Sequence, residues 1–461
     1  MTRQAMAGLR RRPALVGWGA AALVLLGGCR ISDTLLDAKD PDIINPSDVQ
    51  SAEGATGLAN GALGTFRDIT AGSESTWLFG GLLADEWSTS STFIQNDETD
   101  QRMIQENNSS ITGMLRRLYR TRTRTTEAVK ALEQYRPDAK VLMGELYFAR
   151  GFAEMQMAQD FCNGIPLGDP LAEPPEDGPQ KSVAEVFTAS LASYDAALAL
   201  VPGTDAASVA IARAIRIGRA RAMVSLGLSN LDAAAALVAG IPTSFAYQHT
   251  FANTTTGSNT IWGQGLSARR YAVSDTVEGN TRNIRVANAL PFGSAKDPRL
   301  PVTDPTNVNG QDGQTRARTT TLYAQFTPVD VVNGIDARLI EAEAALRKGD
   351  PSWLTILNAL RANPPKVGNI QPAAMPALTD PGTAEARLDL LFREKAFWTF
   401  SRGQRLNDLR RLIRQYGRTA ANTFPQGSHY KGGNYGPDVN LPIVTDERNN
   451  PNFKGCTDRN A

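Results

Sequence analysis

Any catalysis by this chain of 461 residues would have to draw on two histidines, three cysteines and scattered carboxylates. His249 and His429 each stand alone in a polar stretch, and the sequence holds no HExxH, no CxxC and no glycine-rich phosphate loop. A Ser-His-Asp set meets in space rather than in order, but no Gly-x-Ser-x-Gly elbow supports one. Asp97-Glu98-Thr99-Asp100 offers carboxylates to calcium without EF-hand spacing, and reads instead as a solvated acidic loop. Arg405 and Asp408 lie three apart at helical spacing, as do Arg338 and Glu341. Each pair reads as a structural ion pair in preference to an acid beside a substrate clamp. No catalytic residue, metal site or cofactor is expected.

Recognition would fall to aromatic side chains outside regular helices. A sugar ring stacks its apolar face on Trp or Tyr while nearby Asn, Asp and Arg bond its hydroxyls. The candidates are Trp77 and Trp87, which flank Asp85-Glu86, Trp262 in a polar stretch, and Tyr430 and Tyr435 near Lys431 and Asn434. The competing reading for each is packing beneath a long loop.

Cys29 has a chemistry of its own. Arg3, Arg10, Arg11 and Arg12 precede an apolar run from Ala14 to Leu26, which ends in Leu26-Gly27-Gly28-Cys29. This is the layout of a bacterial export signal, and the apolar run is short of the roughly 20 residues of a comfortable membrane span. The Leu-small-small-Cys ending resembles the lipobox of bacterial lipoproteins, which implies cleavage before Cys29 and acylation of its thiol. An uncleaved anchor, or an ordinary signal with a chance cysteine, is the alternative. Cys162 and Cys456 then remain, either as a disulfide suited to an oxidising exported compartment or as two buried thiols.

Removing residues 1–28 takes away four arginines and no acids, which leaves 44 basic against 47 acidic residues, a balance of −3. Nucleic acid requires a concentrated basic face, so it is not an expected partner. The basic stretch from Arg116 to Arg124 lies within a predicted helix and reads as a solvated or partner-facing surface. Apolar residues make up 41% of the chain, ample for a core.

These features must be carried by a mainly α body. Leu142, Leu146, Ala149 and Ala153 recur at four-three-four spacing, with Phe148, Phe152 and Met155 as a second stripe, so a helix from about 138 to 160 is covered on two sides. Ser182-Val183-Ala184-Glu185 forms a capping box for the next helix, which runs to about Leu200. Further helices are predicted at about 207–226, 231–239, 331–348, 351–362, 383–400 and 405–416. Successive pairs of this size resemble tetratricopeptide architecture, without a clean repeat of fixed period. Residues 242–327 lose helical periodicity and read as a loop-rich insertion with a short strand or two. A coil tail occupies about 423–461.

The order of motifs resembles the SusD/RagB-like outer-membrane nutrient-binding lipoproteins over nearly the whole chain. After the lipobox comes a long helix leading to the corner Asn163-Gly164-Ile165-Pro166-Leu167. There follow the helix Ser182 to Ala196, the landmark Asp297-Pro298-Arg299-Leu300, and Arg338-Leu339-Ile340-Glu341-Ala342-Glu343-Ala344. The most specific stretch runs from Arg393-Glu394-Lys395-Ala396-Phe397 through Gly403-Gln404-Arg405-Leu406-Asn407-Asp408-Leu409-Arg410. Asn440-Leu441-Pro442-Ile443 and Asn450-Pro451-Asn452 close the series. Two positions depart from the family pattern: Arg402 replaces an acid before Gly403, and Val444 replaces the second proline of the tail motif.

The resemblance implies a tetratricopeptide-like solenoid scaffold, about 40–240 and 328–416, packed against an irregular, loop-rich ligand-binding half. It also implies a non-catalytic, lipid-anchored protein at the outer membrane, exposed at the cell surface. Such a protein captures oligosaccharides or peptides and passes them to a SusC-like TonB-dependent transporter. Two other classes fit the residues less fully. A helical-repeat adaptor of envelope assembly predicts an exposed apolar groove. A lipid-anchored hydrolase predicts paired carboxylates about 5–10 Å apart in a cleft.

Overall fold

Helices form where apolar residues recur at a helical period, and they bury those faces against one another in pairs. A computed structural model describes residues 50–461 apart from 173–176, 255–256, 280–282 and 444–448. Cys29, the expected export signal and Val444 lie outside the described residues. Ala52–Arg67 packs on Ser109–Tyr135, Lys140–Asp160 on Val183–Leu200, Ala206–Leu226 on Leu231–Val238, and Gly334–Lys348 on Ser352–Ala362. Adjacent pairs also touch, so the helices form a tetratricopeptide-like solenoid. Ala384–Trp398 packs on Gly334–Lys348, and Arg405–Tyr416 lies against Thr76–Leu83 and Lys140–Asp160.

The two apolar stripes of Lys140–Asp160 are buried on both sides, with Phe148, Phe152 and Met155 fully enclosed. Two glycines let its neighbours close. The ring of Tyr194 sits where a Cβ on Gly151 would come within 3.0 Å of it and one on Gly218 within 2.9 Å. Ser182 caps the following helix in the reciprocal arrangement with Glu185 that its sequence predicts.

Three elements differ from the sequence reading. Residues predicted to open a helix at Val331 instead form the strand Val329–Asn333, which pairs antiparallel with Ala246–His249. Val329, Val331 and Val332 are β-branched and favour a pleated surface. The helix begins only at Gly334, because Asn333 and Asp336 form a capping box there. The acidic run 97–100 is not a solvated loop but part of the helix Ile94–Asp100, with its carboxylates turned inward. The insertion also carries more structure than a strand or two. It holds the short helix Thr260–Trp262, a π-turn at Gly263–Ser267 and several two-residue pairings. Its strand Tyr271–Val273 pairs antiparallel with Trp87–Thr89, so residues 84–108 belong to the irregular half.

Buried ion pairs join the two halves through Arg299 and Arg405 and knit the helical scaffold itself. Arg299 grips Glu394 with both nitrogens, at 2.7 and 3.2 Å, and also bonds Asp297. Lys395 bridges Glu343 at 3.1 Å and Asp408 at 2.8 Å. Arg402, the departure from the family pattern, grips Asp336 at 3.0 and 2.8 Å. Arg338 and Glu341 meet at 2.7 Å. Arg405 and Asp408 require a correction: Arg405 pairs with Asp85 at 2.6 and 2.9 Å, whereas Asp408 is held by Lys395 and Arg411. Helical spacing gave the two a shared face, but a carboxylate 320 positions away offers Arg405 a two-pronged contact. The tail is tied down by a disulfide between Cys162 and Cys456, with sulfurs 2.05 Å apart across a sequence separation of 294.

Glu86 is the exception to this pairing. It is buried beside Asp85, and its clearest partner is the backbone N–H of Ser401 at 2.9 Å. Burial pushes its carboxyl up from 4.5 to about 8, so it is protonated in the neutral fold. The folded form therefore holds a proton that the unfolded chain releases near 4.5. This contribution is complete below that value and is lost as pH rises to about 8, at ~1.4 kcal/mol per pH unit. Asp160, raised by burial to about 7, acts in the same direction. Between about pH 6.5, above which His249 no longer contributes, and pH 8, urea midpoints should fall with rising pH, and Glu86→Gln should flatten that fall by about one proton. An unchanged slope in the variant would mean that Glu86 is ionised in the fold.

Candidate functional site

The loops of the irregular half converge on one surface. Pairing of Trp87–Thr89 with Tyr271–Val273 brings residues 90–94 beside 269–270. The Ser90 hydroxyl donates to the Arg269 carbonyl at 2.8 Å, and the N–H of Gln311 donates to the same carbonyl at 3.0 Å. Lys431 ties in the tail, donating to the Ser91 carbonyl at 2.7 Å and pairing with Asp97 at 2.8 Å and Asp312 at 3.1 Å. Four separate stretches of chain are thus locked together by hydrogen bonds, as a preorganised surface requires.

Phe93 stands on this surface with 42% of its area exposed. The Arg270 guanidinium lies 4.5 Å from its ring centre, a cation–π contact that holds the ring while much of it faces solvent. Two residues before it, Ser91 donates to the Gln311 amide oxygen at 3.4 Å and accepts from Lys431 at 2.7 Å. An exposed aromatic plane with fixed polar neighbours is the arrangement that binds a sugar ring or another flat-faced, hydroxyl-rich ligand.

The aromatic residues nominated from sequence fall into three groups. Trp77 and Trp87 are 0% and 2% exposed and leave the list of ligand contacts. Their indole nitrogens donate inward, to Gln156 and Ser401, both at 3.2 Å. Trp87 nonetheless supports the site from below, because Gly265 of the π-turn rests against its ring. Trp262 is half-buried, packed against the core at the start of the turn that delivers Arg270. Tyr430 is 5% exposed, with its hydroxyl 2.6 Å from the Thr89 carbonyl and 2.5 Å from Asp100, so it braces the surface rather than facing out. Tyr435 is half-buried, edge-on to His429 at 5.0 Å.

Phe93 and the pair Arg269-Arg270 did not emerge from the sequence. The available signal was a Phe-Ile step in an otherwise polar stretch, Ser90-Ser91-Thr92-Phe93-Ile94-Gln95. Both histidines are enclosed. His249 bonds Thr70 at 2.8 Å and burial lowers it to about 3, leaving it neutral. His429 lies beneath Tyr430 with its Nε2 3.4 Å from Asp100. A cavity of about 770 Å³ opens on the helical side near Trp353, Arg387 and Tyr416. Its charges are largely matched, however: Arg387 holds Asp380, Arg418 holds Glu385, and Tyr416 donates to Glu343.

Solved structures resemble this architecture over most of its length. A SusD superfamily protein from Bacteroides vulgatus superposes with a TM-score of 0.59 at 16% identity, covering 89% of this chain and 99% of its own. The fold is SusD-like. A SusD-like carbohydrate binding protein from Bacteroides fragilis gives 0.63 at 12% identity, covering 88% of this chain and 99% of its own. A laminarin binding SusD-like protein gives 0.60 at 16% identity over the same shares. No family model and no curated protein matches the sequence.

Within the SusD-like fold, the sequence landmarks acquire a physical role. Arg299 of Asp297-Pro298-Arg299-Leu300 bonds both Asp297 and Glu394 of the Arg393–Arg410 stretch, while Glu343, Lys395 and Asp408 form a single cluster. The motifs that announce this fold therefore point at one another and not at Phe93.

Proposed function

We propose that this chain is a non-catalytic, lipid-anchored outer-membrane protein that captures oligosaccharides at the cell surface and delivers them to a SusC-like TonB-dependent transporter. The observation that carries the reading is the braced, solvent-facing Phe93 with its polar border on a SusD-like fold. The carbohydrate binding named for two of its structural neighbours supports a sugar as ligand. The sequence before Cys29 supports export and anchoring. A peptide is the runner-up ligand.

Affinity purification of the lipidated protein from its native outer membrane tests the partnership. A large barrel transporter should co-elute in near-equal amount. Recovery of soluble envelope proteins without a barrel would favour an assembly adaptor instead.

A further inference from the structure

Two of the four cations on these loops are already neutralised. Lys431 is held between Asp97 and Asp312, and Arg316 pairs with Asp304 at 2.5 Å. Arg269 and Arg270 have no carboxylate partner among the described residues. Arg270 is half-buried and contacts the Gln264 amide oxygen at 3.4 Å, and its Nε finds no hydrogen-bond partner among the described residues. A donor shielded from water and left unused is costly unless something supplies an acceptor. Arg269 is held at φ 53°, a left-handed conformation that a non-glycine residue adopts at a cost of about 1–2 kcal/mol. Two hydrogen bonds to its carbonyl hold this turn in place, and the side chain is exposed.

Taking the capture role above as its basis, we propose that the Phe93 surface selects an acidic oligosaccharide. One sugar ring stacks on Phe93 while the carboxylate or sulfate of that residue or its neighbour accepts hydrogen bonds from Arg269 and Arg270. A charge-assisted contact of this kind is roughly twice as strong as a neutral one, and a planar guanidinium matches a carboxylate with two parallel bonds. Asp304 is matched by Arg316, and Asp97 and Asp312 share Lys431, so these three carboxylates leave one negative charge uncompensated against the two charges of Arg269 and Arg270.

The test is a panel of neutral, uronate-bearing and sulfated oligosaccharides offered to the full protein, followed by calorimetry on those that bind. Binding of acidic members, weakened at high salt and weakened about tenfold or more in R269A/R270A with an unchanged melting temperature, supports the proposal. Whether the uronate or the sulfate members respond identifies the source of the charge. Binding confined to neutral members, or acidic binding untouched by the double substitution, overturns it and leaves the capture role standing. If nothing on the panel binds but the barrel still co-purifies, acidic selection alone fails. If neither result is obtained, both readings fall.

Discussion

Glu394→Ala should destabilise the protein by about 3–5 kcal/mol, the range found when one partner of a buried ion pair is removed. Arg299 and Glu394 are both fully buried, with two contacts between them and a third from Arg361 at 2.9 Å. Deleting the carboxylate leaves Arg299 with Asp297 alone, in a pocket walled by Phe397 and Trp398 at 5.2 and 4.9 Å. Water cannot readily repair the loss there. Urea denaturation of the variant would show it directly, and a loss below about 1 kcal/mol would mean that Asp297 suffices as counter-ion. Replacing Arg299 and Glu394 together with apolar residues of similar volume should recover much of the stability, since the penalty belongs to the stranded charge rather than to the missing attraction. Asp380→Ala, which breaks an exposed pair with Arg387, should change little.

Gly403→Ala should cost about 3 kcal/mol, from two sources that can be separated. Gly403 has φ +64°, and a Cβ placed there would lie 2.2 Å from Cδ1 of Trp77. Backbone strain accounts for about 1–2 kcal/mol and overpacking for about 1–3 kcal/mol. Gly349 isolates the first term: its φ is +73°, it caps Gly334–Lys348, and no atom lies within 4 Å of its added Cβ. Gly349→Ala should therefore lose only the backbone share. The difference between the two variants, with a changed near-UV signal from Trp77 only in Gly403→Ala, measures the clash. Equal losses would show that Trp77 moves aside freely.

What the sequence revealed and what it hid follow from the range of the forces involved. Helices are legible from their 3.6-residue period, and the cap at Ser182 and the ion pair of Arg338 with Glu341 are legible because their partners lie within one turn. Arg405 and Asp408 looked equally local. Arg405 went to Asp85 because burial favours the best two-pronged geometry over the nearest neighbour. Trp77 and Trp87 read as ligand candidates because Asp85-Glu86 lies between them, but those acids are themselves buried, one paired and one protonated. Phe93 is neither Trp nor Tyr, and its placement depends on a strand pairing between segments far apart in sequence. Residues 331–333 read as the start of a helix because apolar residues suit either period over so short a run.

The buried ion pairs also determine what can change over evolutionary time. Each charged residue in the joint between the halves needs its counterpart, so a single substitution strands a charge and is removed by loss of the fold. The surface around Phe93 is less constrained. Its anchors need Ser90 and Lys431 with its two carboxylates, but they bond the Arg269 and Ser91 carbonyls, which any side chain at those two positions would leave in place. Specificity can therefore drift while the joint stays fixed. A survey that gathers relatives by the Asp297, Glu394 and Asp408 motifs will group chains by scaffold, and its members will differ in diet.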